Sequence, residues 1–221
     1  MQKIELSHPI FRDLVCKISE VAGLIHGYGW AEANAGNLSI EVSELIRQNF
    51  GSPGRWFIVS RSGSRYRQTA LTPHDSLVLV SCLEDHDVYY PPDAKATSEW
   101  ISHRTLQLAN DRFNTILHTH PAEIIALAAY DAFRDSQTIN RIFADILPEL
   151  PLYLPEGVAI CPHKPPGSIE LCNASRISLS DQKALIWTGH GLLTFANCLD
   201  DALDYQEIVV KAAKILFLSR K

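Results

Sequence analysis

Arg112-Phe-Asn-Thr-Ile-Leu-His-Thr-His-Pro121 is a short, mostly apolar run that ends in two histidines and a proline. The run predicts a buried strand over residues 113–117. Side chains alternate in extended backbone, so His118 and His120 project from the same face. Pro121 has no backbone donor and suits the first position of a helix, which places the pair at a strand-to-helix corner. Two imidazoles aimed at one point begin a zinc-type shell that another nitrogen and a carboxylate would complete. The same pair could instead cap a loop or fill a partly buried polar position.

Downstream, residues 122–130 read as a short apolar helix, residues 139–146 carry helical signs, and residues 168–179 fit a helix. Residues 153–160, broken by Pro155 and Gly157, suit an edge strand or an irregular crossing. A buried strand over residues 184–188 leads to Gly189-His190-Gly191, where flanking glycines leave the imidazole clear and let the chain turn tightly. Extended structure resumes over residues 192–195. Residues 200–218 form the clearest helix: Leu203, Ile208, Val209, Ala212 and Leu216 make an apolar face. Asp200, Asp201 and Asp204 begin it and Lys214, Arg220 and Lys221 end it, as the helix dipole favours.

Upstream, residues 96–109 predict a helix whose first turn holds Glu99. An acid there interacts favourably with the helix dipole, and it could also stand beside a metal while Thr97 and Ser98 face an anion. Strands are expected at residues 56–60 and 77–81. The first opens into Arg61-Ser-Gly-Ser-Arg-Tyr-Arg67, whose guanidinium and hydroxyl donors suit a phosphate or carboxylate, or else protect a solvated sheet edge. Leu14, Ile18, Val21 and Ile25 stripe a helix over residues 10–26 with Gly27 as its stop. The segment from Tyr28 to Ile40, containing Asn34, Gly36 and Asn37, leads into another strand, either as an ordinary turn or as an oxyanion cradle. His74, His86 and His163 fall in loops and are expected to be solvated.

The chain has 221 residues, 46% of them hydrophobic, enough for a full core and one domain over 1–221. Its net charge of −5 gives no bulk attraction for nucleic acid or an anionic membrane. Five scattered cysteines without a Cys-x-x-Cys pair predict reduced thiols. No leader pattern opens the chain, and no apolar stretch approaches the roughly 20 residues of a spanning helix. The expectation is a soluble, cytoplasmic protein. Interspersed strands and helices give an α/β or α+β sheet covered by helices.

Five stretches in order, Ala35-Gly-Asn-Leu-Ser, Ser60-Arg-Ser-Gly, Thr97-Ser-Glu, His118-Thr-His-Pro and Gly189-His-Gly, resemble the class II aldolase/adducin family. The resemblance runs from about Tyr28 to Lys214. It implies a single-domain, three-layer α/β/α fold with a central mixed, largely antiparallel β-sheet, and a ring-like homotetramer. It further implies Zn²⁺, or another divalent metal, held by His118, His120 and His190, with Glu99 as the catalytic carboxylate. Phosphate would fall to Asn37, Ser62, Gly63 and Ser98, with Asn34, Ser60 and Thr97 as second choices. Glu149 would be reached from a neighbouring subunit. Arg61 stands where the family pattern has a glycine. The implied reaction is reversible cleavage of a ketose 1-phosphate, rhamnulose 1-phosphate foremost, to dihydroxyacetone phosphate and an aldehyde. A sugar-phosphate 4-epimerase, a dehydratase and a non-catalytic adducin-like assembly module are the alternatives.

Overall fold

The computed structural model describes residues 4–109 and 111–219. Arg220 and Lys221, expected to end the last helix, lie outside the described residues. The chain divides into two compact units, residues 1–100 and 101–221.

The first unit opens with α1 (Arg12–Tyr28) and continues through β1 (Asn37–Glu41), α2 (Ser43–Phe50), β2 (Arg55–Ser60), α3 (Tyr66–Thr69), α4 (Pro73–Ser76), β3 (Leu77–Cys82) and β4 (Asp87–Tyr90). Its strands lie in the order β4-β3-β2-β1, each antiparallel to its neighbour. Val15, Ile18, Val21, Ala22 and Ile25 are the buried stripe of α1. That helix runs one turn-fraction past Gly27 and stops at Gly29, whose φ of 74° closes it in left-handed conformation. Ser19 Oγ ties α1 to the Ala70 carbonyl after α3 at 2.7 Å. The β2 and β3 core, Phe57, Ile58, Val59, Val78, Leu79 and Val80, is fully enclosed. Strand β4 was not expected, because all four of its residues are half-buried and carry no clear apolar alternation.

At the boundary, α5 (Trp100–Leu108) begins one residue after Glu99. Glu99 therefore sits in the turn ahead of the helix rather than in its first turn, which corrects the sequence expectation. Trp100 fixes the start by packing edge-on against Phe57 at 5.3 Å and donating its indole N–H to Asp87 Oδ2 at 2.7 Å.

The second unit contains β5 (Thr115–Thr119), α6 (Ala122–Ala126), α7 (Ser136–Ile146), α8 (Leu150–Tyr153), β6 (Ala159–Cys161), α9 (Ile169–Ser178), β7 (Ala184–Trp187), β8 (Gly191–Ala196) and α10 (Leu199–Ser219). Its strand order is β5-β8-β7-β6, antiparallel except for the parallel β6–β7 pair. The expected mixed, largely antiparallel character is met; of residues 153–160, expected as an edge strand or an irregular crossing, only Ala159 and Ile160 join the edge strand β6, and residues 154–158 cross irregularly ahead of it. Pro121 caps α6 from outside, with extended φ/ψ, instead of occupying its first helical position.

Alternation sorts this sheet into two faces. Ile116, Leu185, Trp187, Leu193 and Phe195 pack with Leu106 of α5 and Leu171 of α9. On the opposite face α10 lies against β5 and β8. There the buried Gln206 donates to the carbonyls of Leu117 at 3.0 Å and Leu192 at 3.3 Å, and accepts from Thr119 Oγ1 at 2.6 Å. Each such bond adds only about 0.5–1.5 kcal/mol net, but a buried amide left unpaired would cost more, so the network fixes the helix in one register. Helices thus cover both faces. All five cysteines are free. Among the described residues no helix is long and apolar enough to cross a membrane.

Candidate active site

In the second unit, β5 delivers His118 to the end of the apolar face and His120 one residue beyond the strand. His118 is fully buried, and its Nδ1 lies 3.0 Å from the Leu192 carbonyl on β8. A carbonyl only accepts, so Nδ1 carries the proton and Nε2 presents its lone pair. Nε2 of His120 stands 3.0 Å from Nε2 of His118. The His190 ring is 5.0 Å from that of His118 and 4.8 Å from that of His120, and the three candidate ligand atoms all lie within 4.8 Å of one another.

The glycines around His190 act for different reasons. Gly189 has φ 72°, the left-handed turn that starts the loop. At Gly191 space decides: a β-carbon would stand 2.4 Å from the Thr119 carbonyl oxygen, 2.9 Å from His118 Cε1 and 3.0 Å from His120 Cδ2. The strand must pass this close for His190 to meet the other two rings.

Trp187, which sequence reasoning left as a core residue, backs the cluster. It stacks on His190 at 5.1 Å and 21° and stands 4.8 Å from the His118 ring. Its indole N–H is anchored to Ser175 Oγ at 2.8 Å, and Ser175 in turn donates to the Leu171 carbonyl at 2.7 Å. The alternation of β7 could have revealed it, since Leu185 and Trp187 share the face of the His118 partner Leu193. Tetrahedral nitrogen ligands about 2.0–2.1 Å from a zinc ion would stand about 3.4 Å apart. Three convergent imidazoles, one with its tautomer fixed, fit a divalent metal with room for further ligands.

In the first unit the backbone gathers the remaining candidates. Arg61 bridges Ala96, Ser62 N donates to the Lys95 carbonyl at 2.8 Å, and Thr97 N donates to the Ser60 carbonyl at 2.8 Å. These bonds lay residues 60–63 beside residues 95–99. Ser62, Gly63 and Ser98 are exposed, and Gly63 has φ 75° with open space where a β-carbon would be. Ser60 is buried and its hydroxyl accepts from Leu38 N at 3.0 Å, while Thr97 Oγ1 accepts from Glu99 N at 3.4 Å. Both are occupied in shaping the turn. Glu99 is buried, and Asn37 Nδ2 donates to its Oε2 at 2.7 Å. Tyr66 also faces this acid: burial first, and the Glu99 charge second, push its phenol well above the ordinary tyrosine range.

Asn34 is exposed in the turn before β1. Glu149 is exposed at the start of α8, on a depression of about 300 Å³ shared with Tyr153, Asp204, Glu207, Ile208 and Lys211. The structure does not bring it to the three histidines. His74, His86 and His163 are exposed as expected, but His74 lies in the short helix α4 and not in a loop.

Residues 16–217 match the Class II Aldolase and Adducin N-terminal domain, and the chain belongs to that family. It is 25% identical to a rhamnulose-1-phosphate aldolase of Bacteroides thetaiotaomicron, over all of this chain and 91% of that protein. A rhamnulose-1-phosphate aldolase of Listeria welshimeri is 31% identical over 85% of this chain and 76% of its own. Among solved structures, a sugar-phosphate aldolase from Thermotoga maritima is 26% identical with a TM-score of 0.81, covering 96% of this chain and 98% of that one. The L-fuculose-1-phosphate aldolase of Thermus thermophilus shares the fold at 22% identity, with a TM-score of 0.67 and 94% of each chain covered.

Proposed function

We propose that the protein is a metal-dependent aldolase that reversibly splits a ketose 1-phosphate into dihydroxyacetone phosphate and an aldehyde, with rhamnulose 1-phosphate as the leading substrate. The observation that carries this reading is the convergence of His118, His120 and His190, with ligand atoms within 4.8 Å of one another, in a chain of this family. Zinc is the metal of this reading, although imidazole sites also accept cobalt, manganese or nickel. When bound, it would supply positive charge to the oxygens of a ketose as electrons move toward its carbonyl.

The chain's own groups do the rest. Glu99 moves the proton at the carbon beside the carbonyl, as a positioned carboxylate can. Ser62, Gly63 and Ser98 receive the phosphate through exposed hydroxyl and backbone donors. The family resemblance adds Asn37 to that group, with Asn34, Ser60 and Thr97 behind it. Holding the phosphate fixes the reacting carbons, so part of the rate comes from positioning. The same resemblance supports a cytoplasmic homotetramer in which Glu149 serves a neighbouring copy, and light scattering of the purified protein tests the assembly.

The activity is tested by offering metal-loaded protein a panel of ketose 1-phosphates and measuring triose phosphate. Release from rhamnulose 1-phosphate is expected. An epimer or a water-loss product without triose phosphate would assign the sister chemistry, and a chain that neither binds metal nor turns over would be an assembly module.

A further inference from the structure

We propose that a cavity of the first unit, between the start of α1 and α4, is a second anion site that takes a small phosphomonoester through Arg12, His8 and His74. It is separate from the proposed catalytic groups, since Ser62, Gly63, Ser98 and Glu99 do not line it.

The cavity has a volume of about 310 Å³, at the small end of ligand cavities and enough for a phosphate carrying a few carbons. Three segments close it. On α1, Arg12, Val15, Cys16 and Ser19 fall at three- and four-residue spacing and so share one side of the helix. Helix α4 packs against α1 and adds Pro73 and His74. The chain ahead of the 3₁₀ turn Pro9–Phe11 adds His8, and the buried Leu6 and Val15 make an apolar floor.

The lining is one-sided in charge, although the whole chain carries −5. Among the described lining residues Arg12, His8 and His74 are basic and none is acidic. The Arg12 guanidinium has no ion-pair partner among the described residues, whereas Arg47 pairs with Glu44, Arg55 with Glu41, Arg112 with Asp181 and Arg134 with Asp131. The adjoining turn fixes a second donor. His8 Nδ1 accepts from Ile10 N at 3.4 Å, and its ring stands edge-on to Phe50 at 5.0 Å. An accepting Nδ1 leaves the ring proton on Nε2. Ser19 gives its hydrogen to the Ala70 carbonyl and only closes the far end. A tetrahedral phosphate accepts from several directions at once, which suits a guanidinium fork and two imidazoles arriving from three segments.

Cys16, a free and exposed thiol on the cavity wall, reports on occupancy; Cys198, also free and exposed, lies in the second unit and serves as the internal control. The test follows alkylation of both thiols by iodoacetamide, read by peptide mass spectrometry, in the presence of inorganic phosphate, of glycerol 3-phosphate, or of chloride at matched ionic strength. With an affinity of about 1 mM, about 10 mM of either phosphate should slow Cys16 about tenfold and leave Cys198 unchanged. Arg12→Gln should reduce that protection to less than about twofold, and His74→Ala, on the other helix, should weaken it independently. Chloride should protect neither thiol. Equal rates at Cys16 with and without phosphate, equal slowing at Cys198, equal protection by chloride, or protection undiminished in both variants would overturn the proposal. The readout needs neither metal nor turnover, so it decides the second site whether or not the protein cleaves a ketose phosphate.

Discussion

The histidine cluster of the second unit and the Asn37–Glu99 region of the first are built in opposite ways. The histidines stand on or beside strand ends, with a backbone carbonyl setting one tautomer, a tryptophan backing two rings and a glycine forced by close approach. The other region depends on turns: a short bridge aligns residues 60–63 with residues 95–99, and the candidate anion donors stay exposed. A metal centre needs ligands fixed in direction before the ion arrives, which rigid strands provide. An anion needs donors on backbone that can approach it, which loops provide.

Substitutions at the two regions should therefore fail differently. His118→Ala should have the largest effect: the purified variant should lose stoichiometric metal, and cleavage should fall by about four orders of magnitude or more, as expected when several kcal/mol of charge stabilisation is removed. Metal analysis with a triose-phosphate assay checks both. Next, Gly191→Ala should destabilise the second unit by about 3 kcal/mol, because the new methyl meets backbone at 2.4 Å and not a side chain that can swing away. With a shift of about 2–4 °C per kcal/mol, calorimetry should record a fall near 10 °C. Ser62→Ala should leave stability untouched and lower kcat/KM about tenfold, mostly through KM, as for one charge-assisted hydrogen bond. A Ser62→Ala variant with lost metal would erase the contrast between the regions.

The smallest predicted effect concerns Tyr66. Its phenol is pushed above the ordinary value in the folded protein. The stability this represents is complete below the unfolded tyrosine value near pH 10 and declines as pH rises from there toward the folded value. Urea unfolding between about pH 9 and 11 should show a steeper alkaline loss in wild type than in Tyr66→Phe. Equal slopes would show that the phenol is not enclosed beside Glu99.

How much of this was legible beforehand follows from the range of each interaction. Period-two spacing placed His118 and His120 on one side of a strand, and the stripe from Leu203 to Leu216 marked α10, because both patterns are local. Gly189-His190-Gly191 was read as a loop ligand, but the reason for Gly191 lies in the Thr119 carbonyl of another strand, outside any local pattern. Trp187 looked like core because it is core, and only pairing through β8 shows which rings it touches. The start of α5 was misplaced because Ala96, Thr97 and Ser98 are good capping residues, yet the bridge to Arg61 holds them extended or turned and delays the helix to Trp100. The Asn37–Glu99 hydrogen bond spans 62 residues, and neither local sequence announces it.

The most direct test of the central claim is metal content and triose-phosphate release measured together on wild type, Glu99→Gln and His190→Ala. The account predicts about one divalent metal per chain in wild type and in Glu99→Gln, cleavage only in wild type, and neither metal nor cleavage in His190→Ala. Full metal occupancy in His190→Ala, or undiminished cleavage by Glu99→Gln, would contradict it.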